Sequence, residues 1–170
     1  MQKRWDIKKQ PDEGLVESLA GQIGVSPVLA RLLIQRGVTT PQLADDFFNP
    51  DLRKLHDPFL MRDMDKAVDR IASAISNRER ILVYGDYDVD GVTAVALVYR
   101  TLSKFVASAD LLGFYIPDRF SEGYGISRQG VEYARDGGFS LVIALDCGIK
   151  AVEEIAYAKS LGIDFIICDH

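Results

Sequence analysis

The sequence predicts an α/β fold: a parallel sheet with flanking helices, preceded by a small helical N-terminal region. Three observations predict it. Four short runs after residue 80 (RILVYGD, ADLLGFYIPD, SLVIALD and DFIICD) are rich in Val and Ile and apolar on both faces, as strands buried in a parallel sheet are. These runs alternate with helical segments, GVTAVALVYRTLSKF, SRQGVEYARDGG and IKAVEEIAYAKSLG. Repeated strand–helix units of this length give right-handed crossovers. The first eighty residues show no such alternation and read as helical. The chain therefore divides into a helical region, residues 1–79, and an α/β domain, residues 80–170.

Each element has a local cause. In SPVLARLLIQRGV, Ser26 is placed to cap a helix, Pro27 to open it and Gly37 to stop it. Leu29, Leu32, Leu33 and Arg36 follow the spacing of one helical face. TTPQLADDFFNP repeats the pattern, with Thr40 as cap, Pro41 at the start and Pro50 beyond the end. PDLRKLHDPF is an irregular connection, and His56 within it is a loop histidine. A third helix is expected through MDKAVDRIASAISNR, with Ala67, Ile71, Ala74 and Ile75 on one face. In the second region, Ser127 and Gly137 bracket a helix as N-cap and stop. Trp5 is expected to anchor the N-terminal arm. There is no internal repeat and no low-complexity tract.

Composition excludes several classes. With 170 residues, 48% hydrophobic and 26% charged, the chain matches globular averages rather than disordered or fibrous ones. It is long enough to bury a core without disulfide or metal staples. No stretch approaches the roughly 20 apolar residues of a membrane span, and MQKRWDIKKQPDEG contains no signal-peptide run. Cys147 and Cys168 lie in apolar stretches without metal-type spacing, which suits buried, reduced thiols and a cytoplasmic location. The net charge of -5 argues at first against a nucleic-acid partner. The acidity is local, however: residues 1–80 carry 13 basic and 12 acidic side chains, residues 81–170 carry 7 and 13. Acid gathered at strand ends suggests cation binding.

The strands of a parallel sheet share a C-terminal edge, where ligands normally bind. Every predicted strand ends in acid: Asp86 and Asp88, Asp118, Asp146, and Asp169 followed by His170. If the chain stays extended, Asp86 and Asp88 project from one face with Cα atoms about 6.6 Å apart, close enough to share one divalent cation or a pair. Two-metal hydrolytic sites hold their ions about 3.5–4 Å apart with such carboxylates. Oxygen ligands with imidazole suit Mn²⁺ or Mg²⁺ before Fe or Zn. Gly91 opens a helix whose first amides would face a phosphate. Together these features point to phosphoester hydrolysis.

Other readings of DYDVDG fit less well. An EF-hand calcium loop needs Glu where Leu97 stands. A haloacid-dehalogenase phosphatase has Thr or Val where Asp90 stands. Simple capping of turns accounts for Asp118 alone but not for the whole set.

VYGDYDVDGVTAVAL, YIPDRFSEGYGIS, ALDCGI and the terminal DH together resemble the successive motifs of the DHH phosphoesterase superfamily, within it most closely the RecJ exonucleases. The resemblance covers about residues 80–170. It implies a DHH-type domain and a Mn²⁺- or Mg²⁺-dependent nuclease, with two ions in the complete protein, that degrades single-stranded DNA from its 5′ end in repair and recombination. Other repair or replication proteins are possible partners by the same analogy. It also implies that Asp86, Asp88, Asp146 and His170 are metal ligands, and that Asp169 orients its neighbours. Asp90 matches the first motif's third acid and is assigned to the catalytic group behind the ligands; a ligand or helix-cap role stays open. Arg119, Gly123 and Tyr124 match a loop beside the site. There Arg119 would clamp a phosphate, Gly123 would allow close backbone approach and Tyr124 would stack a base. The alternatives are an Arg119 salt bridge to Asp118 or Glu122, and core packing for Tyr124.

The departure from the family is that the chain stops inside the name motif. Its second histidine, a later aspartate and a substrate-binding domain are missing, so the 170 residues are expected to be an N-terminal piece with weak or no activity. Two competing functions remain: a small-molecule or oligonucleotide phosphoesterase of the same superfamily, and a non-catalytic binding module. The pyrophosphatase branch would carry a ligating His where Leu82 stands.

Overall fold

The computed structural model describes residue 6 and residues 8–170, so Trp5 lies outside the described residues. The chain forms two compact units, residues 1–57 and 58–170.

The first unit contains helices α1 (Glu13–Ile23), α2 (Pro27–Ile34) and α3 (Pro41–Phe48). Asp12, Ser26 and Thr40 cap them, each side chain accepting an amide three residues on. The two later caps are those expected. Helix α1 is an addition, although Asp12 before it and Gly24 after it, at φ 69°, are the terminators such a helix needs. Val16, Leu19, Ala20, Ala30, Leu33, Val38 and Ala44 make this unit's own core. The expected irregular connection contains short 3₁₀ turns at Leu52–Lys54 and Pro58–Leu60, and His56 is exposed in it.

The second unit opens with α4 (Met64–Ser76) and continues β1 (Ile81–Gly85), α5 (Val89–Leu102), β2 (Leu112–Tyr115), α6 (Arg128–Asp136), β3 (Leu141–Leu145), α7 (Val152–Ser160) and β4 (Asp164–Cys168). Sequence texture changes at residue 80, but α4 belongs to this unit. Its Ala74, with Ile71 and Ile75, packs among Ile81, Val83 and Leu141. The sheet order is β2-β1-β3-β4 and every pairing is parallel. Helices α4 and α5 supply the core on one face, α6 and α7 that on the other. Because crossovers are right-handed, the change of face accompanies a change of direction: β1 to β2 runs one way, β2 to β3 and β4 the other. The reversal leaves a crevice between the C-terminal ends of β1 and β3, the usual ligand position in such sheets.

Strands β1 and β3 are buried along their full length. Each of their large apolar side chains stabilises the fold by roughly 1.5–3 kcal/mol relative to exposure. Helix α5 approaches β1 very closely at Gly91, where a Cβ would lie 2.5 Å from the Asp86 carbonyl oxygen. Only glycine permits that approach. No helix among the described residues is long and apolar enough to cross a membrane.

Candidate metal centre

The three strands at the crevice each deliver acid to it. Asp86 follows β1 and is 2% exposed, the one buried charged residue among those described. Its Oδ1 accepts the Tyr87 amide at 2.7 Å. Burial, then the neighbouring charges of Asp88 and Asp146, raise its carboxyl above the usual range, against the Tyr87 amide and the Arg119 charge. A buried carboxylate crowded by like charges is unfavourable unless a cation joins it.

Asp146 follows β3 in the left-handed region, at φ 60°. That conformation is strained for most non-glycine residues and concentrates at functional sites. The Asp146 amide still continues the ladder, donating to the Cys168 carbonyl at 2.8 Å. Asp169 follows β4 and uses both oxygens to hold backbone, taking the Ile149 amide on Oδ2 and the His170 amide on Oδ1. Asp146, Asp169 and His170 each offer a ligand atom, and the three atoms lie within 4.8 Å of one another. His170 is itself 95% exposed on its side chain.

The structure thus brings Asp146, Asp169 and His170 into one group, with Asp86 close enough to feel Asp146. Asp88 sits differently from the expectation. Helix α5 begins at Val89, and Asp88 is its N-cap: Oδ1 accepts the amides of Asp90 and Gly91, both at 3.0 Å. These amides are therefore occupied and do not face a phosphate. Asp88 and Asp86 also differ in surroundings, the first exposed and the second buried. The chain turns between them rather than continuing as a strand. Both Asp88 bonds fall on Oδ1, which leaves Oδ2 for another ligand. Asp90, exposed in the first turn of α5, lines an open cleft together with Asp146, Asp169 and His170.

Asp118 serves its own loop. Its Oδ1 takes the amides of Phe120 and Ser121 and the Ser121 hydroxyl, and these bonds hold its carboxyl below the usual range. Arg119 forms no ion pair with Asp118 or Glu122 among the described residues; its guanidinium lies over the Tyr87 ring, 5.3 Å from the centroid. Such an exposed contact contributes about 0.5–1 kcal/mol. Tyr124 is 69% exposed rather than in the core. Its ring meets Tyr87 edge-on and its hydroxyl donates to the Asp146 carbonyl at 3.3 Å. Gly123 beside it has φ 82°, a turn geometry that suits glycine. Tyr87, between Arg119 and Tyr124, is the neighbour that residue-type reasoning passed over. Its position inside GDYDVDG is its one sequence signal.

The cysteines divide. Cys147 is buried, and burial with the nearby carboxylates pushes its thiol up to about 12, so it stays protonated at neutral pH. Cys168 is exposed, contrary to expectation, because β4 is an edge strand.

The donor set fits a hard divalent cation: carboxylate oxygens and one imidazole, gathered beside buried Asp86, on which the Arg119 charge acts less strongly than burial and the neighbouring carboxylates. Comparison with known proteins agrees with this geometry. The sequence is 47% identical, over 98% of its length, to the single-stranded-DNA-specific exonuclease RecJ of Bacillus subtilis (strain 168), of which that match covers 21%. It is 33% identical over 85% of its length to the enzyme of the same name from Salmonella typhimurium, covering 24% of it. The chain thus spans about a fifth to a quarter of these curated relatives. Among solved structures it resembles exonuclease RecJ bound to manganese, with TM-score 0.58 and 30% identity over 65% of this chain and 28% of that one. RecJ from Thermus thermophilus in complex with Mn²⁺ shares the fold over 98% of this chain and 22% of that one, with TM-score 0.69 and 24% identity. The family model described as the DHH family, N-terminal domain, matches residues 80–170. With strands, acids and terminal Asp-His all inside the matched segment, the chain belongs to the DHH family.

Proposed function

We propose that the complete gene product is a Mn²⁺- or Mg²⁺-dependent exonuclease that degrades single-stranded DNA from the 5′ end, and that this chain supplies much of its metal centre. The observation that carries the proposal is the meeting of Asp86, Asp146, Asp169 and His170 at the crevice between β1 and β3. The relatives named single-stranded-DNA-specific exonucleases support the substrate. Work in repair and recombination, with other repair proteins as partners, and a cytoplasmic setting for the two free thiols extend the same reading.

Asp86, Asp88, Asp146 and His170 would hold the cations. Bound there, they would supply an acidified water and neutralise charge on the phosphoryl oxygens. Asp169 fixes the backbone at Ile149 and His170, which sets where the imidazole starts. Asp90 lines the same cleft and would orient a ligand or water there. Arg119 offers two parallel N–H donors to a phosphate, and Tyr124 offers an exposed ring to a base. Gly123, without a side chain, lets the strand pass close to the loop. Specificity for single strands follows from stacking on an exposed ring, which a base inside a duplex cannot reach.

The test is digestion of a 5′-labelled single strand and its duplex by the complete gene product, with Mn²⁺ and then with chelator. Metal-dependent release of labelled mononucleotide from the single strand alone is expected. Preferential hydrolysis of pyrophosphate or cyclic dinucleotides would place the protein elsewhere in the superfamily.

A further inference from the structure

The loop that carries Arg119, Gly123 and Tyr124 is closed by one carboxylate. Glu122 accepts the Asp118 amide at 2.8 Å, at the start of the loop. It also accepts the Ser127 hydroxyl, at its end. From beneath, the Tyr115 hydroxyl on β2 reaches both of its oxygens at 2.9 Å. The same segment makes a single helical turn, the Glu122 amide donating to the Asp118 carbonyl at 2.9 Å. Asp118 caps that turn from the other side through Phe120 and Ser121. Glu122 thus reaches back to the Asp118 amide while Asp118 takes the amides of Phe120 and Ser121. Both ends of one isolated turn are held by carboxylates, much as in a capping box.

The far end of the loop is tied as firmly. Ser127 passes the contact on, its Oγ accepting the Gly130 amide as N-cap of α6. Buried Tyr84 donates to the Gly125 carbonyl and accepts the Ser127 amide. A single turn lacks the cooperativity to persist alone, so its geometry depends on these side-chain partners. Among the described residues, Glu122 is the one bonded to its beginning, to its end and to the sheet below.

We infer that Glu122 is the positioning residue of this loop, holding Arg119 against Tyr87 and Tyr124 over Asp146; the inference rests on the substrate role proposed for that loop. A carboxylate suits the place because its two oxygens meet donors only, from Asp118, Ser127 and Tyr115. Glutamine would turn one N–H₂ group toward these donors. The two hydroxyls can rotate to accept from it, whereas the Asp118 amide cannot, so glutamine retains part of the clamp.

Two measurements on the complete gene product test this. Amide exchange in Glu122→Ala should quicken about 10-fold or more over residues 118–127 while β1 and β3 stay protected. KM for single-stranded DNA should rise about 10-fold or more, with kcat changed much less. Glu122→Gln should recover part of both effects. In a background lacking Arg119 and Tyr124 side chains, Glu122→Ala should raise KM less than about 2-fold further, because the residues act as one unit. Unchanged loop exchange overturns the inference. So does faster exchange with an unchanged KM, or full additivity with the loss of Arg119 and Tyr124. Failure of the underlying reading looks different: Arg119→Ala and Tyr124→Ala would then leave KM at the wild-type value, and the positioning role falls with it. If Glu122→Ala does not fold, Glu122→Gln carries the same comparisons, and wild-type values in it overturn the inference.

Discussion

The two ends of the sheet are built on opposite principles. At the N-terminal end Arg70, Glu79, Arg80 and Asp164 each have an answering partner. Arg70 of α4 holds Glu79 through Nη2 at 2.7 Å and reaches Asp164 at the start of β4 at 2.8 Å. Ser140 adds its hydroxyl to Glu79 at 2.6 Å. Arg80 donates to the carbonyls of Asp110 and Gly137 and covers the Phe139 ring. At the C-terminal end, Asp86 is buried among Asp88 and Asp146, and Asp146 is held in a backbone conformation few residues accept. One end spends its residues on stability. The other gathers like charges that the Arg119 charge offsets only in part, an arrangement a folding optimum would remove and the proposed cation would use.

The contrast can be broken most severely at Asp86. If Asp86 ligates the proposed cation, Asp86→Asn should lower the complete gene product's metal-dependent hydrolysis by on the order of 10³-fold. In chelator, the same variant should melt no lower than the parent and up to about 1 kcal/mol more stably, because a crowded buried charge disappears. A fall in chelator-treated stability together with intact hydrolysis would reverse the assignment of the two ends.

Arg70→Ala should show the mirror image. Losing the half-buried arm to Glu79 costs about 1–2 kcal/mol, with little added by the exposed arm to Asp164. The melting temperature should drop by about 2–8 °C, while hydrolysis per folded molecule stays at the parent value. An equal loss of specific activity would show that the ends are coupled.

The smallest effect sharpens the comparison through pH. The Arg70 partner, then the Ser140 hydroxyl, hold the Glu79 carboxyl below its ordinary range. A depressed folded pKa contributes stability above the unfolded value of about 4.3 and loses it as pH falls through the folded value. The melting-temperature difference between the parent and Glu79→Gln should therefore be full near pH 6 and shrink below about pH 4. A difference that persists undiminished into acid would mean that the pair does not stabilise through its charge.

Much of this was readable in the residues themselves. Strands β1 and β3 announce themselves as unbroken apolar runs because both faces are covered. The carboxylates follow them because the C-terminal ends of parallel strands converge by topology. What stayed hidden depends on partners distant in sequence or on backbone torsion. The apolar face of α4 is plain, but not that it packs on the sheet. Asp88 looks equivalent to Asp86 until the helix start at Val89 takes its Oδ1. Glu122 reads as a counter-ion for Arg119, whereas Tyr115 and Ser127 claim it only after β2 and α6 are in place. The φ of Asp146 has no signature in residue identity at all.

The strand order has a further consequence, for the timing of assembly. Gly85 pairs with Leu145 and Leu145 with Cys168, so the crevice closes only when segments far apart in the chain have met. Such non-local pairing is slow, and loop closure precedes its reward. On a ribosome Asp86 is made well before Asp146, Asp169 and His170, so the proposed cation site is not assembled during that interval. On the proposed function, metal capture would thus be a late event, and the nascent chain would carry no nuclease activity before the sheet closes.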